Sequence, residues 1–273
     1  MIPATAIIVT RNEGDNIAHC LLPLMPLFQR VIVVDSGSSD DTMASAKSFG
    51  ADFIPYTWNE KYPKKRQWCL ENIRGLGEWV FFIDADEVIT PELLREMRLV
   101  FARKPQADGY FVRGRYVWMG KRLKFGMTNN KLCLFRRDAF AYPVVNDLDI
   151  PGMGEIEGHY QPIPLRDDVK IGQLNNAVIH DNHKGRGDWI RRHENYANWE
   201  SAMIRRDAFP VDPVLWRQEL KIFTRNAWFR PYAIFLYSYI VRLGFLDGVA
   251  GFDYALARAN YARDVLRRVR SFQ

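Results

Sequence analysis

Trp79-Val80-Phe81-Phe82-Ile83-Asp84-Ala85-Asp86-Glu87 is the stretch that decides the fold. Its five apolar residues, bounded by Gly77 before and Thr90-Pro91 after, predict a buried strand that delivers two carboxylates at its C-terminal end. Open α/β sheets bind their ligands at that end. Carboxylates two residues apart at a strand terminus face one small volume and repel, so a divalent cation is their natural partner. The plainer alternative is an acidic turn that caps the helix opening at Thr90-Pro91-Glu92, where Asp and Glu are favoured.

The segments upstream repeat the pattern. Thr5 to Val9 is an apolar run that gives way to Thr10-Arg11-Asn12-Glu13-Gly14, and Asp15 is placed to cap a helix carrying Ile17, Leu21, Leu22 and Leu24. Val31 to Val34 predicts a second strand, ending in Asp35-Ser36-Gly37-Ser38-Ser39-Asp40-Asp41-Thr42, where Ser39 or Asp40 caps a helix that runs to Phe49 and stops at Gly50. Ala51 to Tyr56 reads as an edge strand because Pro55 has no amide to donate. Pro63 to Ile73 predicts a helix with Lys64, Lys65 and Arg66 in its first turn. Strands and helices alternating at this spacing imply a parallel, right-handed βαβ sheet.

Downstream the texture changes. After a helix from Pro91 to Arg103, Gly109 to Trp118 and Lys131 to Arg136 are strand-like, while residues 141 to 188 are rich in Pro, Gly and Asp with little periodicity. Trp189 to Arg206 predicts a helix, and beyond Pro213 the chain is helical and apolar. The run Tyr232 to Val241, flanked by Arg230 and Arg242, falls short of the roughly 20 apolar residues a bilayer span needs. No internal repeat is present. The expected organisation is a nucleotide-binding half at 1–103, acceptor-side strands and loops of the same domain at 104–210, and a basic helical tail at 211–273.

Of the 273 residues, 48% are apolar and 26% charged, which excludes a disordered chain. Cys20, Cys69 and Cys133 are odd in number and far apart, so neither a disulfide framework nor a zinc site is indicated, and a reducing cytoplasm fits. Met1 to Thr5 lacks the basic region of a signal peptide, and Arg11-Asn12-Glu13 interrupts the apolar stretch. Arg217 to Gln273 holds ten Arg or Lys against four Asp or Glu, so the tail carries the whole net charge of +6. With Trp228, Phe229, Tyr232 and Tyr237 among them, those charges point to an anionic membrane surface at the inner face of the cell membrane. Nucleic acid is not expected, since no recognisable binding module is present.

Three predicted strand ends, Thr10 to Glu13, Asp35 to Ser38 and Asp84 to Asp86, converge on one sheet edge. Asp35 can accept hydrogen bonds from a base, Gly37 permits close approach, and the helix near Asp40 presents amide donors. An ordinary cap and turn is the alternative for Asp35 to Thr42. No GxGxxG follows the first strand and no GxxxxGK[ST] occurs, which excludes a standard dinucleotide fold and a P-loop.

On these motifs the chain resembles the family 2 glycosyltransferases, inverting enzymes of GT-A fold. The matching pieces are Ala6 to Glu13, Val31 to Thr42, Lys65 to Trp68 and Phe82 to Glu87. The remainder is similar to bacterial lipopolysaccharide-core β-1,4-glucosyltransferase-like enzymes through Leu134-Phe135-Arg136, an acidic loop, Ile179-His180, and Gly244 to Gly248 in the tail. The resemblance implies an α/β, mostly parallel twisted sheet flanked by helices, with a helical, aromatic, basic C-terminal extension. It places Thr10, Asn12, Glu13, Gly37 and Ser38 at a nucleotide-sugar donor, UDP-linked in the family's pattern, with Asp35 on the base and Asp84 on the ribose side. It puts a divalent metal, Mg or Mn, on Asp86, and a glycan or glycolipid acceptor opposite. Lys65 or Arg66 would assist at the phosphates; a solvated helix face is the alternative, more so for Lys64. The base that accepts the acceptor proton would come from Asp147, Asp149, Glu155 or Glu157. Glu157 is favoured by its distance upstream of His180, although the related enzymes place His directly before the acid, and here Ile156 precedes Glu157 and His159 follows it. The alternative is a carboxylate packed on His159 or an Arg. His180, with Asp181 and His183, is a further metal or phosphate ligand candidate, and Arg192 or Tyr196 would touch donor phosphates or acceptor. Rival readings are a nucleotidylyltransferase, a non-catalytic basic membrane-surface or nucleic-acid-binding protein, and a degenerate transferase serving as a partner.

Overall fold

The computed structural model describes residues 1–157, 160–183 and 185–271, with the side chains of 185, 186 and 188 left aside. Its elements are β1 (Ile2–Thr10), α1 (Gly14–Leu24), β2 (Phe28–Asp35), α2 (Thr42–Ser48), β3 (Asp52–Pro55), α3 (Lys65–Asn72), β4 (Trp79–Asp84), β5 (Glu87–Ile89), α4 (Pro91–Ala102), β6 (Gly109–Trp118), β7 (Lys121–Arg122), β8 (Asn129–Arg136), β9 (Phe140–Ala141), β10 (Ile163–Pro164) and β11 (Ile171–His180). Helices α5 (Gly185–Arg206), α6 (Leu215–Arg225), α7 (Arg230–Leu236) and α8 (Val249–Arg270) follow, with a π-turn at Tyr237–Val241 and a 3-10 turn at Gly244–Asp247 between the last two. Two compact units interleave along the chain rather than dividing at 103/104 and 210/211. The first comprises Met1–Tyr116, Asn129–Tyr142 and Pro164–His183; the second takes Val117–Thr128, Pro143–Ile163 and Lys184–Gln273.

The first unit is built on a sheet ordered β3-β2-β1-β4-β8-β6-β11-β5. β1 lies between β2 and β4 and is parallel to both, so both of its faces are covered and its sequence is an almost unbroken apolar run. β3 closes one edge, as Pro55 requires. Antiparallel strands enter where the sequence texture changes: β8 pairs with both β4 and β6, and β5 with β11. Thr90 caps α4 by accepting the Leu93 amide at 3.2 Å, with Pro91 in the first turn. The acidic residues before it are therefore not the helix cap. Glu87 opens β5 and is only 1% exposed.

β11 is a ten-residue strand inside a region whose sequence shows no period. Its register breaks between Gln173 and Ala177, and both oxygens of Glu96 on α4 take the backbone amides and side-chain amides of Asn175 and Asn176 at 2.8 to 3.1 Å. That bulge puts two Asn where alternation would demand apolar residues.

The second unit is mainly helical. Trp199, Ala197 and Met203 of α5 are buried, as are Ala255, Ala259, Ala262 and Leu266 of α8, and the two helices pack against each other. The helical stretch expected beyond Pro213 is interrupted at Leu243, which adopts φ 57°, and the 3-10 turn folds back onto α8 so closely that a Cβ on Gly251 would meet the Gly244 carbonyl. Asp247 is buried and accepts the amides of Lys124 and Phe125 at 2.9 and 2.8 Å. Arg267, Arg268 and Arg270 stand in the last turn of α8, where cations complement the helix dipole.

Candidate active site

The strand register aligns the three predicted strand ends. Thr10 pairs with Asp35 across β1 and β2, and Val9 with Asp84 across β1 and β4. The β2 turn is organised around the buried Asp35 carboxylate, which accepts the Thr10 hydroxyl at 3.0 Å, the Ser38 amide at 2.8 Å and the Ser38 hydroxyl. Ser38 Oγ in turn accepts the Asn12 amide at 2.7 Å, and Asn12 Oδ1 accepts the Ser39 amide at 2.8 Å. Asn12 holds φ 54°, a left-handed conformation that Asn tolerates better than most residues. Gly37, at φ 70°, leaves open space where a Cβ would stand. Asp40 accepts from Gly14 N and from Thr42, and the Glu13 amide reaches Thr42 Oγ1, so the β1 and β2 loops form one hydrogen-bonded shelf.

Lys64 and Lys65 do not lie on a solvated helix face; they are 1% and 3% exposed. Lys65 Nζ donates to the Thr10 carbonyl at 2.7 Å and to Ser36 Oγ, which braces β1 against β2 from below the shelf.

At the end of β4 the charges interlock. Asp84 takes Arg66 from α3 on Oδ1 at 2.8 Å and Lys131 from β8 on Oδ2 at 2.7 Å. Lys131 Nζ is also 2.7 Å from Oε1 of Glu87, an ion pair without hydrogen-bond geometry, while Glu87 Oε2 accepts the Asp84 amide at 3.1 Å. Burial alone would push the Asp84 carboxyl up, but Lys131 and Arg66 outweigh it and hold the group well below the usual carboxylate range. Burial would likewise lower Lys131, and Asp84 and Glu87 outweigh that and raise it. His180, at the end of β11, points Nε2 at Asp86 Oδ2 across 3.2 Å, with Nδ1 3.8 Å from Glu87. Burial depresses its imidazole, and Asp86, then Glu87, more than reverse this. The buried Cys20 thiol contacts the Asp84 carbonyl at 3.6 Å, and burial with the neighbouring carboxylates pushes it far up, which rules out a reactive thiolate.

Thr10, Asn12, Glu13, Asp35, Gly37, Ser38, Lys65, Asp84, Asp86 and His180 thus gather along one edge of the first unit. Asp181 and His183 follow on the same loop, where His183 stacks on His19 at 4.9 Å. The remaining candidates lie in the second unit and are described within it. Asp147 is buried and accepts the Trp199 indole N–H at 2.8 Å; Asp149 receives both prongs of Arg206 at 2.7 Å. Glu155 and Glu157 are buried, Arg192 and Tyr196 are half-buried on α5, and His159 lies outside the described residues. Lys131 and Glu87 are the site residues that sequence reasoning missed. The one available signal for Lys131 was a lone cation opening the apolar strand Lys131-Leu-Cys-Leu-Phe.

Among the described residues no group of three or more His, Cys, Asp or Glu is arranged to hold a metal ion. Asp86 and His180 nevertheless offer one oxygen and one nitrogen from two strand ends, with Glu87 beside them. A hard divalent ion fits that pair if the ligand's own oxygens complete its shell.

The Glycosyl transferase family 2 model matches residues 5–152, more than half of the chain, and the chain belongs to that family. An uncharacterised glycosyltransferase of Rickettsia felis is 35% identical over 102 residues, covering 37% of this chain and 35% of its own length. The SPbeta prophage-derived glycosyltransferase SunS of Bacillus subtilis is 34% identical over 87 residues, 31% of this chain and 20% of its own. The chain thus spans about a third or less of these curated relatives. Among solved structures, the mannosyltransferase PcManGT of Pyrobaculum calidifontis, in complex with GDP-Man and Mn2+, superposes with a TM-score of 0.53 at 15% identity, over 98% of this chain and 86% of that one. That likeness establishes the GT-A arrangement of sheet and helices.

Proposed function

We propose that this chain transfers a sugar from a nucleotide-sugar, UDP-linked, to a lipid-linked or polysaccharide acceptor of the lipopolysaccharide type at the inner face of the cell membrane, with inversion at the anomeric carbon. The observation that carries the reading is the alignment of the Asp35 shelf, Asp84 and the Asp86–His180 pair along one sheet edge. Asp35 and Ser38 orient the base, and the Thr10-to-Glu13 loop closes over the nucleoside. Asp84, fixed by Arg66 and Lys131, meets the ribose. Asp86 and His180 would hold Mg2+ or Mn2+, which when bound neutralises charge on the nucleoside-diphosphate leaving group. Glu157 is the base that takes the acceptor hydroxyl proton, with Asp147 and Asp149 as the alternatives. Arg192 serves the donor phosphates.

Calorimetric titration with UDP and with GDP, each with and without Mn2+, tests this. UDP binds in a metal-dependent way and Asp86→Ala loses roughly tenfold or more in affinity, about 1.4 kcal/mol. Equal binding by Asp86→Ala, or binding indifferent to metal, sinks the proposed chemistry. Glu157→Gln retains nucleotide affinity and abolishes transfer; retained turnover moves the base to Asp147 or Asp149.

A further inference from the structure

α6 is the helix with the sharpest separation of apolar and basic residues, and it is turned inside out. Leu215, Trp216, Leu220 and Phe223 share one side; Arg217, Lys221 and Arg225, spaced by four, share the other. An ordinary surface helix covers the core with its apolar stripe. Here no residue of α6 is buried, and Trp216 and Phe223 are 66% and 72% exposed. The basic side is the one engaged with protein: Arg217 and Lys221 converge on buried Asp212 at 3.4 and 2.5 Å, and Arg225 lies 3.4 Å over the Phe209 ring. Trp228, 70% exposed, and Tyr232, Leu236 and Ile240, spaced by four along α7 and the π-turn, are further apolar residues left exposed in the following segment. Exposed apolar surface on this scale marks a docking face.

The composition of the face selects its occupant. Between Pro213 and Leu246 there are five Arg or Lys and a single acid, Glu219. A bilayer interface suits this helix, since Trp and Tyr settle at headgroup level and a helix with Trp, Phe and Leu on one side and Lys and Arg on the other lies in the interface plane. Among the described residues no helix is long and apolar enough to cross a membrane, so the segment lies along the surface.

We propose that α6, α7 and the π-turn insert their apolar side into the interfacial layer of a lipid bilayer, held by Trp216, Phe223 and Trp228 rather than by the basic charge of the tail. The proposal rests on the membrane-borne acceptor named above for its purpose and gives that acceptor its geometry: a lipid-linked sugar would be met at the plane where its lipid is anchored. Because the cations of α6 are committed inward, binding is driven by apolar burial and resists salt.

Flotation of the full chain with phosphatidylcholine vesicles, with and without phosphatidylglycerol, at low and high salt, tests this. The wild type floats with both and stays bound at high salt. Trp216→Ser/Phe223→Ser, at two exposed positions, loses roughly tenfold or more in partitioning while binding UDP as the wild type does. Binding confined to anionic vesicles and released by salt overturns insertion. A dimer seen by light scattering and dissolved by the same substitutions overturns the bilayer in favour of a second copy. A wild type that floats but binds no nucleotide sinks the catalytic reading and upholds this one.

Discussion

Asp84, Asp86 and Glu87 place three carboxylates within four residues, and the fold tolerates them because partners arrive from three other elements: the cations Arg66 from α3 and Lys131 from β8, and the His180 imidazole from β11. Lys131 is central because it touches both Asp84 and Glu87. Removing one partner of such a cluster leaves the other charges uncompensated, which costs more than the pair contributes while intact. Asp84 keeps 32% of its side chain exposed, so the loss is below that of a fully buried pair. Lys131→Met is expected to lower unfolding stability by about 2–3 kcal/mol and to weaken UDP binding, while Lys131→Arg keeps the charge and much of both. Denaturant titration and calorimetry on the two variants check this, and a Lys131→Met protein indistinguishable from wild type in both would remove the residue from the site. At this scale the acids of the site could be read from sequence, because Asp35, Asp84 and Asp86 each end an apolar run. Lys131 could not, since it lies far along the chain and meets them only through strand pairing, and that His180 would stand beside Asp86 was likewise settled by strand pairing.

β11 shows the same limit one level up. Asn175 and Asn176 destroy its alternation, so periodicity gives no strand there, and yet it places His180 beside Asp86. What makes the bulge stable is the carboxylate of Glu96, which answers four N–H donors at once. Partial burial would raise the Glu96 carboxyl, but the amides of Asn175 and Asn176 outweigh it and lower it. A group depressed in the folded state contributes its stability above its unfolded pKa and loses it as pH falls through the folded value. Glu96→Gln sets an NH2 against donors and is expected to cost about 1–2 kcal/mol at neutral pH. That difference should shrink as pH falls below roughly 4, as urea titrations at several pH values would reveal; a difference constant down to pH about 3 would show that the carboxylate charge is not the cause.

For the molecule as a whole, the site draws on β1, β2, β4, β8, β11 and α3, elements spread over most of the first unit, so a ligand bound there stabilises the fold as a unit. UDP with Mn2+ at about 100 times its dissociation constant is expected to add about 2.7 kcal/mol, with a smaller gain for UDP plus chelator; equal thermal shifts in the two conditions would refute metal coupling. By itself the sequence determined the βαβ first half, its ligand edge and its acidic residues, because buried parallel strands and the turns that end them are local signals of hydrophobicity and turn chemistry. Tertiary structure alone decided the rest: the antiparallel β8 and the late-joining β11 that bring Lys131 and His180 to the acids, the burial of Lys64 and Lys65, the interleaving of the two units and the outward turn of α6. Each of these depends on which residues become neighbours across long stretches of chain, and the periodicity of a single segment does not contain its partner.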